Sequence, residues 1–415
     1  MPDLKKIFSG AFRAQDEAED PSKGNPYYLH KVAVWKRVRL YLTVFLAVFL
    51  LSFTLFNLRF LRLEHFTYFF SDFRSSVRAS SYEAISMEYV ADGRQSFATF
   101  RGGLCVVGTH NVAVFTKNSR RLITDSVNLS NPAVATSDKN ILVYDRGSYT
   151  FLVYNSYERI LVETLDEPIL YGAVSNRGEV AIVTLGRDNV SYVYYYDSGM
   201  KKSARIRKNT YVTQALFGPS SSSLVIACVD GKDGQFDMSI EKYGLSGILS
   251  SSPEYSVRYS DCFPLYVSYD SGKYLNVICD KAFIALDGSG REKVNYHFSS
   301  RLVAGSTGEY GAALAFDADL VTGEVRLMYW SPDGRPVFDG KVKAGVEQIL
   351  LDKGCVYLKG EHITRFSLTD HKTETDVRNV AGMTLFPASG GELIACSPAS
   401  ASFIHFGEEG TIRNQ

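Results

Sequence analysis

Tryptophan occurs only twice in the 415 residues, methionine six times and cysteine six times, and no two cysteines make a C-x-x-C pair. That excludes zinc ribbons and dithiol redox motifs. Excess charge of either sign is also missing, since 45 Lys and Arg face 45 Asp and Glu. Without a basic surplus the chain has no electrostatic footprint of a dedicated nucleic-acid binder. The G-x-S-x-G elbow, H-E-x-x-H and G-x-x-x-x-G-K-[ST] are all absent, and the nearest phosphate-loop lookalike, Asp339-Gly340-Lys341-Val342, lacks both spacing and hydroxyl. The seven His residues are scattered. What is present is apolar content of 45%, with 26 Tyr, 26 Phe and 33 Gly. Such a balance favours strands joined by tight turns around a sizeable core.

Positions 40–58 carry no charge at all. As a helix they reach about 28 Å, close to a bilayer core of ~30 Å. The run ends Phe56-Asn57-Leu58-Arg59-Phe60, without a small-x-small cleavage site, so an uncleaved signal anchor is expected rather than a signal peptide. Cations cluster before it at Lys31, Lys36, Arg37 and Arg39, which places the N-terminus inside and the remainder outside the cell membrane. The scheme is therefore a cytoplasmic tail at 1–39, a transmembrane helix at 40–58, a juxtamembrane amphipathic helix or linker at 59–81 and a folded domain at 82–415. In the tail, Leu4, Ile7, Phe8, Ala11 and Phe12 share one helical face. Leu63, Phe66, Phe70, Phe73 and Val77 form a short a/d stripe. Packing on the domain or the bilayer is one reading of that stripe, and a weak dimer is the sharper alternative.

From about Tyr82 the apolar period changes to alternation. Positions 131–165 show the unit: AVAT, a polar turn, ILVYDR, a turn at Gly147-Ser148, TFLVYN, then RILVETL. First strands of such units begin near Phe97, Ala133, Ile169, Val212, Phe263, Leu302, Gln348 and Met383. A polar turn follows each, as at Arg101-Gly102-Gly103 or Asp352-Lys353-Gly354. Eight units of roughly 41 residues match four-stranded propeller blades. The last unit lacks a fourth strand, which EAISMEY at 83–89 can supply to close the ring. The expected fold is all-β, an eight-bladed β-propeller, with seven blades as the alternative.

The four-strand period and hairpins such as ALDGSGREKV (285–294) and YWSPDGRPVF (329–338) resemble blades of WD40-like and quinoprotein-like propellers. The layout of tail, single span and propeller is similar to an uncharacterised family of bacterial single-pass membrane proteins. No Gly-His and Trp-Asp pair marks the blades, so no site residue carries over.

Cys105, Cys228, Cys279, Cys355 and Cys396 all fall in second strands, where they are expected as buried, unpaired core residues; Cys262 lies outside that pattern with no obvious mate. Asp230, Asp233 and Asp237, like Asp317, Asp319 and Glu324, read as solvated turns rather than calcium loops. Tyr192, Tyr194 and Tyr196 alternate along one strand and share a face, with Tyr195 opposite. They are the candidate binding surface for sugars or peptide, against a competing reading as packing between blades. No catalytic residue, cofactor or metal is implied. The expected role is a non-enzymatic scaffold or sensor at the envelope, with a protein partner; a quinoprotein-like oxidoreductase or a hydrolase working in the central channel is the alternative.

Overall fold

The computed structural model describes residues 26–56, 86–232, 234–246, 252–319, 322–388, 391–406 and 411–414. The chain divides into two compact units, Met1–Ser80 and Ser81–Gln415.

In the first unit a helix, α1, runs from Pro26 to Phe56. Proline suits a first helical position, because its missing N–H would be unpaired there anyway. The helix thus starts well before the charge-free run. Among the described residues no helix is long and apolar enough to cross a membrane, so the expected span at 40–58 finds no support in them. The charge-free part of α1 stops at position 56 and extends about 26 Å, short of the ~30 Å core. Trp35, Tyr41, Phe45 and Leu51 of α1 are nonetheless all more than 60% accessible. The tail stripe at 4–12 and the stripe Leu63, Phe66, Phe70, Phe73 and Val77 lie outside the described residues.

The second unit is a ring of eight antiparallel sheets, the blades. Their first strands begin at Ser96, Pro132, Ile169, Tyr211, Pro264, Leu302, Gln348 and Thr384, each within one residue of the expected start. Seven blades are thereby excluded. First strands of neighbouring blades contact one another round the ring and so line its axis. The polar turns after them include positive φ at Arg101 and Gly102, and again at Lys353 and Gly354. This is the backbone of a tight two-residue hairpin.

The core is not a single cluster. Eight apolar clusters each fill the space between two adjacent blades. Second strands such as Gly103–Val107, Ile141–Asp145 and Leu275–Cys279 are buried at every position, because neighbouring blades cover both faces. Outer strands such as Arg159–Thr164 alternate exposed with half-buried residues. This accounts for the continuous apolar runs inside each unit and the alternating run at its end.

Closure occurs in blade 8 as expected. Ser86–Glu88 pairs antiparallel with Ser400–Ile404, placing Met87 opposite Ala401. Met87 is buried between blades 8 and 1. Tyr89 continues the seam, its N–H donating to Ala399 O at 3.0 Å and its hydroxyl lying 2.6 and 2.8 Å from the carbonyl oxygens of Ser397 and Ser400. The link onward to blade 1 is clasped by Asp92. Its carboxylate accepts from Thr109 Oγ1 at 2.7 Å, from the His110 N–H and from Asn111 Nδ2 at 3.1 Å, and lies 2.8 Å from His110 Nδ1. One element was not anticipated: Thr411–Asn414 adds a fifth strand to blade 7, pairing with Thr373–Asp376 and setting Arg413 opposite Glu374.

Candidate functional site: the upper face of blades 4 to 6

Each first strand begins on the same face of the ring as the hairpin joining its blade's second and third strands; we call this the upper face. In blades 1, 2, 7 and 8 the first strand pairs regularly with the second. In blades 3 to 6 it carries one extra residue near its start, Leu170, Thr213, Leu265 and Val303 respectively. A β-bulge at this place bends the strand and turns its side chains away from their regular positions. The consequence shows in exposure. Leu265 and Val303 are 38% and 40% accessible, and Tyr266, following the bulge, 51%.

Two aromatic residues extend the patch. Tyr211 opens the first strand of blade 4 and is exposed, and Phe236, also exposed, is the second residue of that blade's third strand, Gln235–Gly244, next to its hairpin tip. Phe236 packs edge-on against Phe263 at the threshold of blade 5, with ring centroids 5.7 Å apart. Gln214 Nε2 donates to Leu265 O at 2.9 Å, fixing the bulge of blade 5 to blade 4. Blades 4, 5 and 6 each expose apolar or aromatic side chains near the start of the first strand or next to the hairpin tip: Tyr211 and Phe236, Leu265 and Tyr266, and Val303.

A cavity of about 300 Å³ lies between the first strands of blades 2, 3 and 4, towards the opposite face. Tyr171 and Phe217 supply its aromatic walls, and Thr136, Ser175, Asn176 and Ser221 its polar groups. Burial, reinforced by Tyr144, pushes the Tyr171 hydroxyl up to about 12. The lining carries no Asp, Glu, His, Lys, Arg or Cys.

The tyrosine row predicted as a surface is not one. Tyr194 and Tyr196 are 1% and 0% accessible and lie in the cluster between blades 2 and 3. Their hydroxyls donate to Glu167 Oε2 at 2.6 Å and Glu163 Oε1 at 2.8 Å, and burial raises both phenols far above their ordinary range. Tyr192 is half-buried beneath Arg205, whose guanidinium carbon lies 3.7 Å from the ring centroid. Tyr195 faces the other way, into the cluster between blades 3 and 4. The physical reason is the one that buries every middle strand: adjacent blades cover both faces.

All six cysteines are free and buried. The five in second strands occupy the expected places, but Cys262 does have a neighbour, because it shares the cluster between blades 4 and 5 with Cys279. The sequence concealed this neighbour, since Cys262 lies in the connection ahead of the first strand. Asp230 and Asp237 face each other across the blade 4 hairpin, and Asp319 faces Glu324 in blade 6; Asp233 lies outside the described residues. Among the described residues no group of three or more His, Cys, Asp or Glu is assembled to hold a metal ion.

An eight-bladed ring closed by an N-terminal strand defines the chain as a β-propeller. The chain belongs to a family described as a family of unknown function (DUF5711), whose model matches residues 76–378. No curated protein matches it. Among solved structures it is similar to Sqt1 of Saccharomyces cerevisiae, at 10% identity over 78% of this chain and 98% of that one, with a TM-score of 0.55. A eukaryotic initiation factor gives 10% identity over 74% and 82% of the two chains, with a TM-score of 0.50. BamB from Moraxella catarrhalis gives 12% identity over 79% and 98%, with a TM-score of 0.46. At these identities the likeness concerns the fold alone.

Proposed function

We propose that this protein is a membrane-anchored scaffold or sensor whose propeller holds a protein partner on the upper face of blades 4 to 6, outside the cell membrane. The observation that carries this reading is the apolar patch of Tyr211, Phe236, Leu265, Tyr266 and Val303. Apolar and aromatic side chains gathered on one part of a surface are the usual core of a protein–protein contact. The anchor rests on the charge-free run at 40–58 and on the exposed apolar side chains of α1; the orientation rests on the cations clustered before that run.

The test is site-specific photocrosslinking in intact cells, with a crosslinker replacing Tyr266 or, as a control, Tyr157 on the opposite face. A discrete protein adduct from position 266 and none from 157 is expected. Equal or absent adducts would remove the upper face from consideration.

A further inference from the structure

We infer that Cys262 and Cys279 are the site of a specific intramolecular disulfide, formed by thiol–disulfide exchange with an external small-molecule disulfide. The pairing stands on the fold alone; only the encounter with an oxidant depends on the proposed external location.

Position singles the pair out. Cys105, Cys228, Cys355 and Cys396 lie in four different interblade clusters, so no two of them meet. Cys262 and Cys279 share one cluster. Cys279 ends the second strand of blade 5 and pairs in register with Pro264, two residues beyond Cys262. Backbone hydrogen bonds hold the approach: the Cys262 N–H donates to Phe236 O at 2.9 Å, and the Asp280 N–H to Phe263 O at 3.0 Å. The Phe263 N–H donates to Asp280 Oδ1 at 2.8 Å. Cys279 donates to Met238 Sδ at 3.8 Å, and the neighbouring Cys262 thiol raises its pKa. Diagonal neighbours on paired strands have Cα atoms about 7–8 Å apart. A disulfide needs at most ~6.8 Å, so bonding asks the connection ahead of the first strand to close on Cys279. Asp261 beside Cys262 is ion-paired with Lys281, so the bond forms as the chain folds, before these contacts lock the connection.

The chemistry balances without a metal. The Cys262 thiolate attacks one sulfur of the external disulfide and expels a thiolate, leaving a mixed disulfide. The Cys279 thiolate then attacks the Cys262 sulfur and expels the second thiolate. The two protein thiols lose two protons and two electrons, and the external disulfide is reduced to two thiols. The Cys262 thiol and burial both oppose ionisation of Cys279 in the closed core. Exchange therefore belongs to the folding chain, after which burial shields the bond.

The experiment treats detergent-solubilised full-length protein, unfolded and refolded, with oxidised and reduced glutathione together, followed by denaturation, alkylation and peptide mapping. Four alkylated cysteines instead of six, and one linked peptide joining positions 262 and 279, are expected. Cys262→Ser, with Cys262→Ala as a second variant, should leave five alkylated sites and no linked peptide. Six alkylated sites in the wild type, or a link involving any other cysteine, overturns the assignment. Either result is read without reference to a partner, so it stands apart from the fate of the scaffold reading.

Discussion

Asp92 shows how one side chain can hold a ring shut. Burial alone would raise its carboxyl pKa, but hydrogen bonds from His110 and Thr109 outweigh that and hold it at about 2, below the ordinary 3.8. A carboxylate with a depressed folded pKa adds stability that is complete above its unfolded value and lost as pH falls through the folded one. The melting temperature of the wild type should therefore drop between about pH 4 and pH 2, and that of Asp92→Asn should drop less. Equal slopes in a calorimetric pH series would mean the clasp is only decorative. At this scale the sequence was least legible. Tyr192, Tyr194 and Tyr196 share a face, and alternation alone does not distinguish a face turned to solvent from one turned to a neighbouring blade. Leu265 and Val303 were opaque for a related reason: the extra residue of a bulge leaves no gap in an apolar run.

Strands were far more readable. Burial on both faces gives second strands an unbroken apolar run, hairpins need residues that tolerate positive φ, and the two signals repeat eight times. The closing strand could be inferred because the last unit was one strand short. Within that strand Met87 packs against blade 1, whereas Ser86 and Glu88 are exposed. Truncating Met87→Ala should destabilise the ring by about 2–5 kcal/mol through the cavity left behind. Deleting 83–89 should cost more, lower the melting transition as a whole and promote aggregation through the bared edge at Ser400–Ile404. Removing 407–415 is the contrasting case. Blade 7 keeps its four strands without Thr411–Asn414, so the melting temperature should change little. A large loss there, and none on deleting 83–89, would reverse the roles given to the two ends.

At the scale of the molecule, the division at Ser80 and Ser81 separates a helical unit from a closed ring. The anchoring proposal is checked by alkaline carbonate extraction of membranes. Full-length protein should stay with the bilayer, while a chain beginning at Ser81 should be released, soluble and monomeric. Release of the full-length chain would refute the anchor without touching the propeller.

The half-ring of bulges also fixes a number. Eight identical blades would offer a partner eight equivalent orientations and, for a small partner, as many as eight places. Confining the bulges to blades 3 to 6 breaks that rotational degeneracy, because the run of four bulged blades occurs once per turn. Binding at the upper face should therefore saturate at one partner per chain, in a single azimuth about the ring axis, and any higher valency would have to come from association between chains.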